Sequence, residues 1–135
     1  MLLCLALMVF AALTTATVPA RATRLGEIEI LCPIDGKRFK ALTAFSGFQF
    51  GAGLDLMPLG PTPAPWPLAK CPGNGFVIYK EKFSPKETDR LKTIVRSAEY
   101  RALTKVHTTY FLAAQLQSTM GEPAYIIANT LLRAT

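Results

Sequence analysis

The chain lacks the second cysteine that a zinc knuckle requires. Two pentads, Cys32-Pro33-Ile34-Asp35-Gly36 and Cys71-Pro72-Gly73-Asn74-Gly75, share the form Cys-Pro-x-y-Gly. Asp35 and Asn74 stand where further thiolates would complete a tetrahedral site. Cysteine is scarce overall, 3 in 135 residues, and none of it forms a Cys-x-x-Cys dithiol, which argues against thiol-disulfide redox catalysis. His107 is the only histidine, and no nucleophile with an acidic orienter stands beside it. A solvated or capping histidine outweighs a catalytic base there. With no Gly-rich nucleotide loop and no convincing carboxylate pair, phosphate-binding and glycosidase chemistry lose their signatures. Lys and Arg outnumber Asp and Glu, 15 to 9, yet the cations are scattered. Without a basic stripe interleaved with aromatics, nucleic acid is not the expected partner.

What is present bounds the architecture better than the activity. Half of the residues are apolar, 50%, which suits one small domain that needs a staple, metal or partner. Residues 1–22 read as a signal peptide: Leu2 to Leu13 form an apolar run, and Ala20-Arg21-Ala22 has the form expected before a cleavage point. The expected location is therefore periplasmic or secreted. Because no Lys or Arg precedes the run, an uncleaved N-terminal membrane anchor is the alternative; a cleaved chain would have no stable membrane insertion. Removal of Cys4 with the signal leaves Cys32 and Cys71, and an even number of cysteines in an oxidising compartment favours a disulfide between them.

The geometry of a zinc site supports that pairing. Four thiolates on one zinc lie ~4 Å apart, so a pair left without metal can close into a bond without a new fold. Such a bond closes a loop of about 40 residues and contributes on the order of 4 kcal/mol in the chain-entropy estimate. The weaker alternative is a zinc site built from Cys32, Asp35, Cys71 and Asn74, for which His107 could add a ligand if the helices folded back. In the disulfide reading no cofactor is expected. Asp35 and Asn74 then bond locally to the backbone of tight turns closed by Gly36 and Gly75.

Along the chain, Glu27 to Leu31 alternates at period two and predicts a short strand with Ile28 and Ile30 on one face; Lys37 to Phe45 predicts its partner, with Phe39 and Phe45 in the core. Residues 46–67 are rich in Gly and Pro and predict a loop without a regular ladder, its apolar side chains, Phe48, Phe50, Leu54 and Trp66 among them, wrapping onto the sheet. Asp55 in that loop reads as a turn residue. Phe76 to Tyr79 predicts a strand after the second pentad. Ser84-Pro85-Lys86-Glu87 is a capping box that starts a helix expected to reach about Lys105, burying Leu91, Ile94, Val95, Ala98 and Ala102. A second helix is expected from about Thr108 to Met120, ended by Gly121, and a third after Pro123 with Ile126, Ile127, Leu131 and Leu132. Tyr79, Tyr100, Tyr110 and Tyr125 could line a groove with Trp66, although at these spacings tyrosines are more often amphipathic core residues.

Taken together, the pentads, the Asp55 region and the stretch from Tyr110 through Ala134 resemble an uncharacterised bacterial family of Cys-Pro-x-Cys-Gly proteins, DUF2225. In that family two zinc-knuckle-like motifs precede helices similar to tetratricopeptide repeats. The chain departs from the pattern at Asp35 and Asn74, so the metal binding that the resemblance implies does not carry over intact. The resemblance implies a fold and a mild preference for protein binding through the helices.

The expected class is α+β: a signal peptide at 1–22, a small antiparallel zinc-ribbon-like module at 23–83 without its full ligand set, and a three-helix, TPR-like segment at 84–135. The expected function is a noncatalytic, exported structural or protein-interaction module, with Trp66, Tyr110 and Tyr125 as the candidate binding surface. A small-ligand or metal-binding module is the alternative, favoured if a concave pocket is lined by Trp66 and the tyrosines. A hydrolase, which would need His107 joined to Asp55 or another carboxylate, comes last.

Overall fold

The computed structural model describes residues 24–54, 57–60 and 65–134. The expected signal segment and Asp55 lie outside the described residues. The described residues form a small mixed fold of two antiparallel two-stranded sheets and four helices. Strands β1 (Arg24–Leu31) and β2 (Arg38–Ser46) pair antiparallel with Ile28 opposite Ala41 and Ile30 opposite Phe39. On the other face Glu29 and Glu27 reach diagonally to Arg38 and Lys40 at 3.5 and 3.4 Å. Both pairs are exposed and contribute little.

The ribbon is barely covered. Ile28 and Leu42 are exposed, and Phe45, expected in the core, instead lays its ring over Gly26, where an added Cβ would come within 2.3 Å of it. The Gly/Pro-rich loop forms a small hairpin of its own, β3 (Gly51–Ala52) with β4 (Pro58–Leu59), contrary to the expectation of no ladder. Phe48 and Phe50 pack edge to face at 5.2 Å but stay in solvent, with Phe50 74% exposed; they do not wrap onto the sheet. Trp66 does reach it, donating from Nε1 to the Leu42 carbonyl at 3.3 Å. Nor does Phe76 to Tyr79 form a strand: it makes one isolated bridge, Lys70 to Val77, because Phe76 and Val77 turn into the helical core.

The first expected helix is two. Helix α1 (Pro85–Arg96) begins at the capping box, where Ser84 N donates to the Glu87 carboxylate at 2.8 Å and Glu87 N to Ser84 Oγ at 3.3 Å. The Lys80 ammonium and these Ser84 donors hold the Glu87 carboxyl at about 2, well below its usual range. At Ser97 the backbone leaves the helix and the Ser97 hydroxyl caps a new one, accepting from Tyr100 N at 3.1 Å, so that α2 (Ala98–Leu103) starts in another direction. That break places Ala98 and Ala102 in solvent, while Leu91 and Val95 stay buried. Helix α3 (Thr109–Met120) is capped by Thr108 and ended by Gly121 at φ 80°, as the sequence predicts. Helix α4 (Ala124–Leu132) follows Pro123 and returns beside α3, bringing Ala134 O within 3.5 Å of Thr108 Oγ1. None of its residues is fully buried.

One core unites the elements: Cys32, Ile34, Cys71, Phe76 and Val77 pack with Leu91, Val95, Tyr100, Leu112 and Leu116. The knuckles thus sit on the helices rather than in a lobe of their own. Among the described residues no helix is long and apolar enough to cross a membrane.

Candidate functional site

Each knuckle is built by the same two backbone hydrogen bonds. Cys32 N donates to Lys37 O and Gly36 N to Cys32 O, both at 2.9 Å; Cys71 N donates to Phe76 O at 2.8 Å and Gly75 N to Cys71 O at 2.9 Å. Gly36 and Gly75 close the turns at φ 70° and 74°, a conformation that suits glycine. The fourth side chain of each pentad completes its own turn: Lys37 N donates to Asp35 Oδ1 at 3.1 Å and Phe76 N to Asn74 Oδ1 at 2.9 Å.

The structure brings Cys32, Asp35, Cys71 and Asn74 to one point. Cys32 and Cys71 are joined by a disulfide with their Cα atoms 5.8 Å apart. Beside it Asn74 Nδ2 donates to Asp35 Oδ2 at 3.1 Å and to Cys32 Sγ at 3.5 Å. The four positions that would hold a metal therefore carry a covalent bond and a hydrogen-bonded pair. With the sulfurs bonded to each other neither is a thiolate donor, which corrects the alternative of a zinc site on these residues. Among the described residues no group of three or more His, Cys, Asp or Glu could hold a metal ion. His107 takes no part; its ring is exposed and stacks on Phe111 at 3.9 Å.

Against the second knuckle lies a cleft of about 950 Å³. Ile34 and Val95 supply apolar surface, and Lys70, Arg96, Arg101 and Lys105 surround it. All four cations are exposed, and none joins an ion pair among the described residues, where Arg38, Lys40, Lys80 and Lys92 do. The walls are well braced: the Tyr100 hydroxyl donates to Gly75 O at 3.1 Å, and burial pushes its pKa upward. Sequence reasoning missed this cluster because Lys70 is distant in the chain. The break at Ser97, which brings Arg96 and Arg101 to one side, is legible only as a serine inside an apparent helix.

The aromatic candidates divide. Trp66 stays at the ribbon, linked to Tyr110 only through its carbonyl, which accepts from the Tyr110 hydroxyl at 3.0 Å. Tyr110 and Tyr125 instead meet Tyr79 in a separate cleft of about 240 Å³. Burial, reinforced by Glu122 and Glu87, raises the Tyr79 pKa to about 12. Tyr100 belongs to the core. No family model, curated protein or solved structure matches the chain.

Proposed function

We propose that the chain is an exported, noncatalytic protein-interaction module that holds an acidic segment of a partner protein in the cleft between the second knuckle and helices α1 and α2. The observation that carries this reading is the set of Lys70, Arg96, Arg101 and Lys105 around one apolar-floored cleft, without ion-pair partners among the described residues. Four cations around one cleft give it a positive potential, which a complementary anion neutralises and which speeds encounter. A protein segment fits better than a nucleic acid, since no aromatic ring lines the cleft for base stacking. In this reading the knuckles are a DUF2225-like, zinc-ribbon-like scaffold whose metal has given way to a disulfide, and α3 with α4 is its TPR-like hairpin. A disulfide suits the periplasmic or secreted location that residues 1–22 suggest.

The test is fluorescence anisotropy with a labelled Glu- and Asp-rich peptide carrying one leucine, against the same protein with Arg96→Glu and Arg101→Glu. Saturable binding that falls about tenfold or more in the double variant, and that weakens with salt, is expected. Absence of binding, indifference to the two reversals, or tighter binding of a single-stranded oligonucleotide overturns the reading.

A further inference from the structure

The tyrosine cleft carries a second, independent signal. Two buried side-chain atoms have no hydrogen-bond partner among the described residues, the Tyr79 hydroxyl and Gln117 Oε1, and both residues line the same space. Gln117 is only 6% exposed and sits on α3 among Leu112, Ala113 and Leu116. A buried acceptor without a donor is costly, and a leucine or methionine would fill this place without that cost. The rest of the lining is directional. Tyr79, Tyr110 and Tyr125 supply flat aromatic walls beside Ile126, and Arg133 stands at the cleft with no ion-pair partner among the described residues.

We propose that this cleft, between the Tyr79 segment and the α3–α4 hairpin, binds a small aromatic carboxylate that bears a hydrogen-bond donor at its far end. Gln117 Oε1 can only accept, so it selects the donor. The Tyr79 hydroxyl, which can donate or accept a hydrogen bond, accommodates the same polar end. Arg133 matches the carboxylate. The ring lies between the tyrosines, where offset or edge contacts are favourable. At about 240 Å³ the cleft is smaller than the usual drug-sized pocket, which restricts the ligand to a single ring with its substituents. The site is separate from the basic cleft, so either can fail without the other.

The probes are 4-aminobenzoate, benzoate and aniline, titrated into isotope-labelled protein and followed by NMR. Saturable shifts at Tyr79, Gln117 and Arg133 are expected with 4-aminobenzoate, with affinity about tenfold lower for benzoate or aniline, the loss of one good polar contact. Gln117→Met keeps the side-chain volume and should bind benzoate and 4-aminobenzoate alike. Arg133→Ala, at an exposed position, should weaken both carboxylates and leave aniline unchanged. If Gln117→Met fails to fold, Arg133→Ala and the three-probe series still decide. No saturable shift with any probe up to about 10 mM, weak even for a fragment of this size, overturns the proposal. So does binding that neither variant alters, or a crystal soaked in 4-aminobenzoate that shows only water at Gln117 Oε1 and the Tyr79 hydroxyl.

Discussion

The two knuckles have one local design and two different surroundings. Their backbone hydrogen bonds agree to within 0.1 Å, and in both an acid or amide at the fourth position accepts from the backbone two residues on. The first closes the end of an exposed ribbon; beyond Ile34 its turn residues Asp35, Gly36 and Lys37 are in solvent. The second leads straight into Phe76 and Val77, both 0% exposed, and is held from outside by the Tyr100 hydroxyl. Turn geometry here comes from the pentad itself, whereas rigidity comes from the neighbours.

The disulfide is what lets the first knuckle share the second one's support, and removing it should have the largest effect. The bond spans 39 residues in sequence, for which chain entropy gives about 4 kcal/mol. In urea unfolding, Cys32→Ala with Cys71→Ala should lose roughly that amount. Hydrogen exchange sharpens the comparison. The amides of Cys32 and Gly36 should lose protection well before those of Cys71 and Gly75, since the latter also keep Phe76, Val77 and the Tyr100 hydroxyl bond. Equal loss at both knuckles would mean that the bond, and not the helices, supports the second.

The glycines give the next effect. Gly36 and Gly75 have nearly the same φ, 70° and 74°, and an alanine at either bears about 1–2 kcal/mol of left-handed strain. At Gly36 an added Cβ meets nothing within 4 Å, while at Gly75 it comes 2.9 Å from Thr104 Cγ2. Gly75→Ala should therefore cost about 1 kcal/mol more than Gly36→Ala, the cost of a tight overpacking. Thr104→Ser, which deletes that methyl, should bring the two costs together. Equal thermal or urea midpoints for the two alanine variants would show that the helical surroundings yield freely.

The same division explains what could be read from the residues. The capping box at Ser84, the glycine stop at Gly121, the ribbon and the pairing of Cys32 with Cys71 all rest on local chemistry or on cysteine arithmetic, and all are present. The errors fall where tertiary neighbours decide. Ser97 interrupts a pattern whose apolar spacing continues past it, because its hydroxyl competes for the Tyr100 amide. Phe76 and Val77 look like strand residues because they are aromatic and β-branched, yet they serve a core formed with Leu91, Val95 and Leu112, more than ten residues away. Phe45 and Phe50 look like core and lie in solvent, since a two-stranded ribbon has no second layer to cover them. At the sites, the convergence of Cys32, Asp35, Cys71 and Asn74 was legible from their repeated spacing. The grouping of Lys70 with Arg96, Arg101 and Lys105, and of Gln117 with Tyr79, depends on distances that no single segment encodes.

The smallest effect tests whether the polar positions, unlike the glycines, are interchangeable. Asp35 offers Oδ1 to Lys37 N and Oδ2 to Asn74 Nδ2, while Asn74 offers Oδ1 to Phe76 N and keeps its amide for Asp35. Asp35→Asn would set two amide donors face to face, and Asn74→Asp two carboxylates. Each should cost about 0.5–1 kcal/mol, the net worth of one partly exposed hydrogen bond. Made together, the substitutions exchange donor and acceptor across the disulfide while both turns keep an acceptor for the residue two places on. The double variant should then return to within about 0.3 kcal/mol of the original, a coupling that a double-mutant cycle in urea at pH 7 would resolve. Additive losses would show that the surroundings of the second knuckle distinguish amide from carboxylate as sharply as they distinguish glycine from alanine.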